Sequence, residues 1–179
     1  RKGGDKPIIF PAIKEYLKQK WNFTYIPELE ADDLVSVYHD PLKTVICSPD
    51  KDVLYQNKVS NYNYGKAEFV TLDENDALRF LWKQVLMGDS TDGIVGIPKV
   101  GEKTASAWLE DLVPVEMPEF VLNKYIEKFG IADGIHRFTE TFKLIYILKT
   151  KEDVLRETGI ELPELVTHKV EILNQEELW

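Results

Sequence analysis

One cysteine, Cys47, is the whole thiol inventory of this 179-residue chain. A lone thiol excludes an intrachain disulfide and any cysteine-based zinc site. The setting that suits such a chain is a reducing cytoplasm. No apolar run is long enough to span a bilayer, and the opening residues lack the pattern of a signal peptide, so no membrane partner is expected. There is no internal repeat and no low-complexity tract. The three histidines, His39, His136 and His168, are dispersed without metal or triad spacing and read as structural or surface residues. Cys47 itself follows Ile46 in an apolar run and reads as a core residue.

Positive charge is also scarce. Lys and Arg number 22 against 31 Asp and Glu, a formal net charge of −9. Taken alone, that balance argues against a nucleic-acid partner. Its distribution points the other way. The first segment is basic, through Arg1, Lys2, Lys6, Lys14, Lys18 and Lys20, whereas the last carries Glu152, Asp153, Glu157, Glu161, Glu164, Glu171, Glu176 and Glu177. Such asymmetry suits a chain with one face turned to phosphates. Length and a hydrophobic content of 44% are ordinary for one folded unit with a sizeable core.

Residues 1–9 read as a loop. Pro11 sits in the first turn of a helix running to Lys20, and Phe23 to Ile26 reads as a short strand. Glu28 to Asp40 reads as a helix with Leu34, Val35 and Tyr38 on one face, ended by Asp40-Pro41. Thr44 to Cys47 reads as a buried parallel strand. Two short strands, Val59 to Tyr64 and Glu68 to Thr71, flank Gly65. Asp73 caps a helix over Glu74 to Met87, whose core face is Leu78, Leu81, Trp82, Val85 and Leu86. A turn-rich connector, 89–101, leads to helices over Gly101 to Leu112, Met117 to Phe129 and Gly134 to Leu148, then a short helix and an extended tail. Strands alternating with helices in the first half imply an α/β unit with a parallel sheet. Trp82 and Trp108 read as core; Tyr62 and Tyr64 alternate and are candidates for stacking on bases.

Three acidic stretches stand out: ELEADDLVSVY with Glu30, Asp32 and Asp33; VICSPDKDVLY with Asp50 and Asp52; and VLMGDSTDGIVGIPKVGEKTA with Asp89 and Asp92. Each alone has a plainer reading. Acidic first turns complement a helix dipole, and Ser48-Pro49-Asp50 is turn-like. On a helix Glu30 and Asp33 would share a face; in an extended stretch Asp50 and Asp52 would point together with Lys51 pointing away. If the seven carboxylates meet, their repulsion is tolerable only with bound divalent cations, for which hard oxygen donors suit Mg²⁺ or Mn²⁺. The third stretch continues into a glycine-punctuated turn and a helix start. There Gly96, Lys99, Gly101, Lys103 and Thr104 supply backbone freedom, free N–H groups and charge for a phosphate.

In their order and spacing the three motifs resemble the 5′–3′ exonuclease and flap endonuclease family, above all the phage and bacterial 5′-nucleases. In that family a Glu-x-Asp-Asp motif, an Asp-Lys-Asp pair and a Gly-Asp-x-x-Asp motif hold metal. Here they match Glu30, Asp32, Asp33, Asp50, Asp52, Asp89 and Asp92, and the likeness covers most of residues 20–112. It implies a PIN-like α/β core, a parallel sheet flanked by helices, with a helical helix–three-turn–helix extension that grips duplex DNA. The implied division is 1–88 for the core without its N-terminal strand, 89–150 for the helical DNA-binding region and 151–179 for the acidic segment. The family opens with a strand bearing Asp, followed by a further upstream Asp. Here the chain begins at Arg1 in an arch-like region, so a fragment, a cleaved product or a chain whose beginning is absent is expected.

The resemblance implies a structure-specific hydrolysis of phosphodiester bonds near 5′ ends and junctions, with two or more Mg²⁺ or Mn²⁺ ions. K⁺ is a further candidate at the helix–three-turn–helix. One ion would lie on Glu30 and Asp32, a second on Asp50, Asp52 and Asp92, with Asp33 and Asp89 shared or outside. Lys99, Lys103 and the amides near Gly101 would anchor duplex phosphate, and Arg1 and Lys2 match the basic arch. The implied partners are DNA with a 5′ flap or junction, an RNA–DNA hybrid and replication proteins, and the chain is expected to be a monomer; the sequence leaves open what the acidic tail docks. The implied setting is replication and repair in a bacterial or phage-infected cytoplasm. The alternative is a branched-DNA-binding module without catalysis.

Overall fold

The structure, a computed structural model, describes residues 7–21, 25–57 and 59–163. Arg1, Lys2, Lys6, His168 and the acidic residues from Glu164 onward lie outside them, as do Phe23 and Thr24 of the first expected strand. In chain order the elements are α1 (Phe10–Lys20), α2 (Ala31–Val37), α3 (Lys51–Gln56), β1 (Val59–Asn63), β2 (Glu68–Leu72), α4 (Glu74–Met87), β3 (Gly88–Asp89), β4 (Ile94–Val95), α5 (Glu102–Leu109), a 3₁₀ turn (Pro114–Glu116), α6 (Met117–Phe129), α7 (Ile131–Ile145) and α8 (Lys151–Thr158).

The fold is mixed α/β and rich in helix, but the expected parallel sheet is absent from the described residues. Strands there pair antiparallel, β1 with β2 and β3 with β4. Four residues join β1 to β2, too few for anything but a hairpin. Ser60 Oγ meets Thr71 Oγ1 at 2.7 Å across it, and the Tyr62 and Phe69 rings lie 5.0 Å apart. Thr44 to Cys47 touches this hairpin at one point, a parallel bridge between Cys47 and Tyr62. There the Tyr62 amide donates to Ile46 O at 2.7 Å and Ser48 N donates to Tyr62 O at 3.0 Å. Ile46 is buried, but Cys47 is exposed, the reverse of its expected core position.

The core forms around α4. Asp73 caps it by accepting from Asp76 N at 2.8 Å, and apolar residues at helical spacing do the rest. Leu81, Trp82, Val85 and Leu86 are buried against Ala105 and Leu109 of α5, Met117, Val121 and Tyr125 of α6, and Ile145 of α7. This core draws on residues on both sides of Gly88. Trp82 stacks on Phe142 and Phe138, at 5.3 and 6.1 Å between ring centres. The hydroxyl of buried Tyr125 donates to Val85 O at 2.7 Å. Arg79 closes α5 by donating to the carbonyls of Leu109, Glu110 and Leu112, a cation at a helix C-terminus. A smaller cluster of Leu34, Leu148, Val154 and Leu162 ties α2 to α8.

Gly134 lets α6 and α7 approach closely. A Cβ there would stand 2.7 Å from Ile126 Cα and 2.8 Å from Ile126 N and Tyr125 O. Alanine in an exposed helix interior normally stabilises by about 1 kcal/mol over glycine. Here the collision with backbone reverses the sign. Gly134→Ala should destabilise the protein by about 1–3 kcal/mol in urea unfolding. A gain in stability would show that α6 and α7 do not meet at this point.

Candidate metal centre

Three corners of the fold carry the acidic stretches to one cleft. Glu28 has a positive φ of 70°, and Glu30 is the extended N-cap of α2, so the helix starts at Ala31. Asp50 caps α3 by accepting from Asp52 N at 2.9 Å. Asp50 to Asp52 is therefore a helix start, not the extended stretch expected. Asp89 ends the two-residue β3, where Gly88, with φ 75°, turns the chain out of α4. A Cβ on Gly96 would lie 2.3 Å from Gly88 N, so the glycine lets β4 close on β3. Gly96 is buried and so has a packing role.

Glu30, Asp32, Asp52, Asp89 and Asp92 line a cleft of about 60 Å³, whose floor includes Ile94, Ile145 and Ile147. Oxygens of Asp52, Asp89 and Asp92 lie within 4.8 Å of one another. Oxygens on a single Mg²⁺ are about 2.9–4.2 Å apart, given bonds of about 2.1 Å. Small side-chain rotations therefore close the set on an ion. The donors are all carboxylate oxygen, the chemistry that suits Mg²⁺ or Mn²⁺. Asp50 does not line the cleft but stands near enough to act on Asp32. Asp33 turns away: its carboxylate accepts from Leu148 N at 2.9 Å and faces Lys149. Glu30 precedes the helix, so the expected pairing of Glu30 with Asp33 on one helix face does not arise.

Crowding shows in the titration. Burial, then the negative charges of Asp50, Glu30, Asp33 and Asp52, push the Asp32 carboxyl up to about 6. Burial also raises Asp52, against the pull of Lys51 and Gln84. Burial acts upward on Asp89, yet the Lys51 ammonium and the Thr91 amide outweigh it and hold that carboxyl below its usual range. Burial raises Asp33 despite the Leu148 amide and Lys149, and brings the Lys149 ammonium down to about 8.

Two residues at the site escaped sequence reasoning. Lys51, expected to point away, donates to Asp89 Oδ2 at 2.5 Å and to Asp52 Oδ1 at 3.2 Å. Gln84, buried on α4, donates to Asp52 Oδ1 and accepts from Gln56 Nε2 at 3.2 Å. Gln56 in turn donates to Ile145 O at 2.8 Å and accepts from Ile147 N at 3.2 Å. This chain of amides fixes one oxygen of Asp52. The signal was there: Gln84 is a polar residue inside the apolar face of α4.

The phosphate-cradle residues lie at the start of α5. Gly101 is its extended N-cap without a side-chain cap bond, and nothing stands within 4 Å of where its Cβ would be. Lys99 holds a left-handed φ of 68°. Lys99 and Thr104 line a shallow hollow with Trp108, Lys124 and Lys128, which adds two α6 lysines to the candidate set. Lys103 is exposed on another side, beside Lys83, which pairs with Glu102 at 2.5 Å. Tyr64 is exposed, while Tyr62 is half-buried against Phe69. Trp82 is buried and Trp108 packs on the core, as expected. Exposed His136 and half-buried His39, whose Nδ1 meets Thr44 Oγ1 at 2.8 Å, stand apart from the cleft.

No family model matches the chain, and no solved structure matches it. Among curated proteins it is similar to the flap endonuclease Xni of Shewanella woodyi, with 27% identity over 128 residues, 61% of this chain and 51% of that protein. The chain thus spans about half the length of the curated relative it matches. Among the described residues, no helix is long and apolar enough to cross a membrane.

The raised Asp32 carboxyl has a sign that can be measured. The folded chain takes up a proton near pH 6, before the unfolded chain does at about pH 4. In EDTA, Asp32 should therefore add stability as pH falls from about 7.5 to about 5, against the opposite contribution of His39, whose imidazole burial holds below its usual range. Stability should fall below about pH 4, where Asp89 and other carboxylates with depressed pKa protonate. Thermal melts of Asp32→Asn should lack the Asp32 contribution in the upper window. An unchanged slope would place the titration elsewhere.

Proposed function

We propose that the chain belongs to a divalent-metal-dependent nuclease acting on DNA near 5′ ends, flaps or junctions. The observation that carries this reading is the convergence of five carboxylates from three separate stretches on one cation-sized cleft. Divalent ions bound there would supply Lewis-acid polarisation of the phosphodiester and a lowered pKa for the attacking water. Asp52, Asp89 and Asp92 would hold one ion, and Glu30 and Asp32, which line the same cleft, would contribute to a second. Gln84 orients the Asp52 carboxylate, and Asp50 fixes the start of α3 that presents it. No side chain is needed as nucleophile. Lys99, Lys103, Thr104 and the amides after Gly101, joined by Lys124 and Lys128, would grip duplex phosphate without reading bases. K⁺ at that turn, RNA–DNA hybrids and replication or repair proteins as partners belong to the same proposal and rest on the motif resemblance alone.

One observation favours a second reading, a branched-DNA-binding module without catalysis. Lys51 already gives Asp89 and Asp52 a positive partner. A 5′-labelled flap duplex separates the two. Cleavage in Mg²⁺ or Mn²⁺ is expected, and Asp52→Asn and Asp92→Asn should each lower it at least about 100-fold. Flap binding in Ca²⁺ should survive in both variants. Intact binding with no metal-dependent cutting would favour the module.

The phosphate grip has its own signature. Lys99→Ala with Lys103→Ala should weaken binding evenly across flap sequences and reduce the slope of log K against log salt by about 1.8. An unchanged slope would remove both lysines from the interface.

A further inference from the structure

A cation of the chain's own is bonded to two of the cleft's carboxylates. Lys51 is the first residue of α3, and its ammonium bonds two of the three carboxylates whose oxygens cluster within 4.8 Å. The contact to Asp89 spans 38 residues of sequence and joins α3 to the corner where α4 becomes β3. Its geometry is one-sided: the Asp89 side chain is 6% exposed, that of Lys51 52%. The acid is fixed from within, its other oxygen accepting from Thr91 N at 2.8 Å. The base reaches in from solvent on a flexible stem. Lys51 can therefore leave without disturbing packed apolar atoms, whereas Asp89 cannot.

The two cations compete for the same carboxylates. Asp89 Oδ2 holds the ammonium at 2.5 Å, and Asp52 Oδ1 accepts from both Lys51 and Gln84. An ion coordinated at about 2.1 Å needs lone pairs of these groups, and it repels the ammonium at that range. Resting on the metal centre proposed above, we infer that Lys51 is a tethered counter-cation that pairs with these carboxylates when divalent ions are absent and is displaced when they bind. It clips α3 to the α4–β3 corner in the metal-free chain and lowers the affinity for metal.

Titration calorimetry with Mn²⁺ on the full chain tests this, beside thermal melts in EDTA and in Mn²⁺. Lys51→Met is compared with wild type and with Lys66→Met, which loses an exposed lysine 3.6 Å from Glu68. Lys51→Met should bind Mn²⁺ about three- to tenfold tighter. It should melt about 2–6 °C lower in EDTA and regain more on adding Mn²⁺. Lys66→Met should match wild type in both. If wild type binds Mn²⁺ and Lys51→Met binds it equally or more weakly, the tethered cation is refuted while the metal centre stands. If neither protein binds Mn²⁺, the metal centre fails and the inference with it. Should Lys51→Met not fold in EDTA, Lys51→Arg carries the test. Its guanidinium fork holds two carboxylates more firmly, so Mn²⁺ should bind about threefold more weakly than to wild type, and equal or tighter binding refutes the inference.

Discussion

Mutual repulsion among carboxylates is the constraint on which the rest of this structure turns. Two full charges 4.8 Å apart repel by about 3.5 kcal/mol at an effective dielectric constant of 20. Five such groups share one cleft, so the metal-free chain must relieve the charge. It does so with the Lys51 ammonium between Asp52 and Asp89, and, once the pH falls below about 6, with a proton on Asp32 as well. A divalent ion would take over from both. The cleft is thus arranged for a positive charge that the chain can only partly supply.

One helix holds that arrangement together. The apolar face of α4 fills the core against α5, α6 and α7. Gln84 reaches from it to Asp52, Lys83 to Glu102 at the start of α5, and Arg79 to the carbonyls at the end of α5. Asp89 follows directly from its C-terminus. The carboxylate cleft and the open N-terminus of α5 are therefore fixed to the same rod. A cleaved phosphodiester and a gripped duplex phosphate would keep a constant relation only if that holds.

Much of this was legible where spacing is long and regular. Leu78, Leu81, Trp82, Val85 and Leu86 recur at helical intervals, Asp73 caps them, and α4 runs over the expected residues. The hairpin strands and α6 also lie where the pattern placed them. Local direction was less legible. Whether Asp50 and Asp52 are extended or begin a helix depends on one bond, from Asp52 N to the Asp50 carboxylate. Lys51, the first residue of that helix, reaches Asp52 and Asp89. The acids of α2 were misjudged for a similar reason: Glu30 lies before the helix, so helical spacing does not relate it to Asp33. Asp32 faces the cleft and Asp33 serves the Leu148 amide. The parallel sheet was inferred from alternation of elements, yet a four-residue link makes β1 and β2 a hairpin. A single bridge at Cys47 is too little pairing to bury that thiol.

The most direct test of the metal centre is a crystal of the chain soaked in millimolar Mn²⁺ and measured at the manganese edge. The expected map has an anomalous peak among the carboxylates of Asp52, Asp89 and Asp92, with the Lys51 ammonium moved away from Asp89. A cleft without a peak, and Lys51 still bonded to Asp89, would contradict the account of this site as a place for metal.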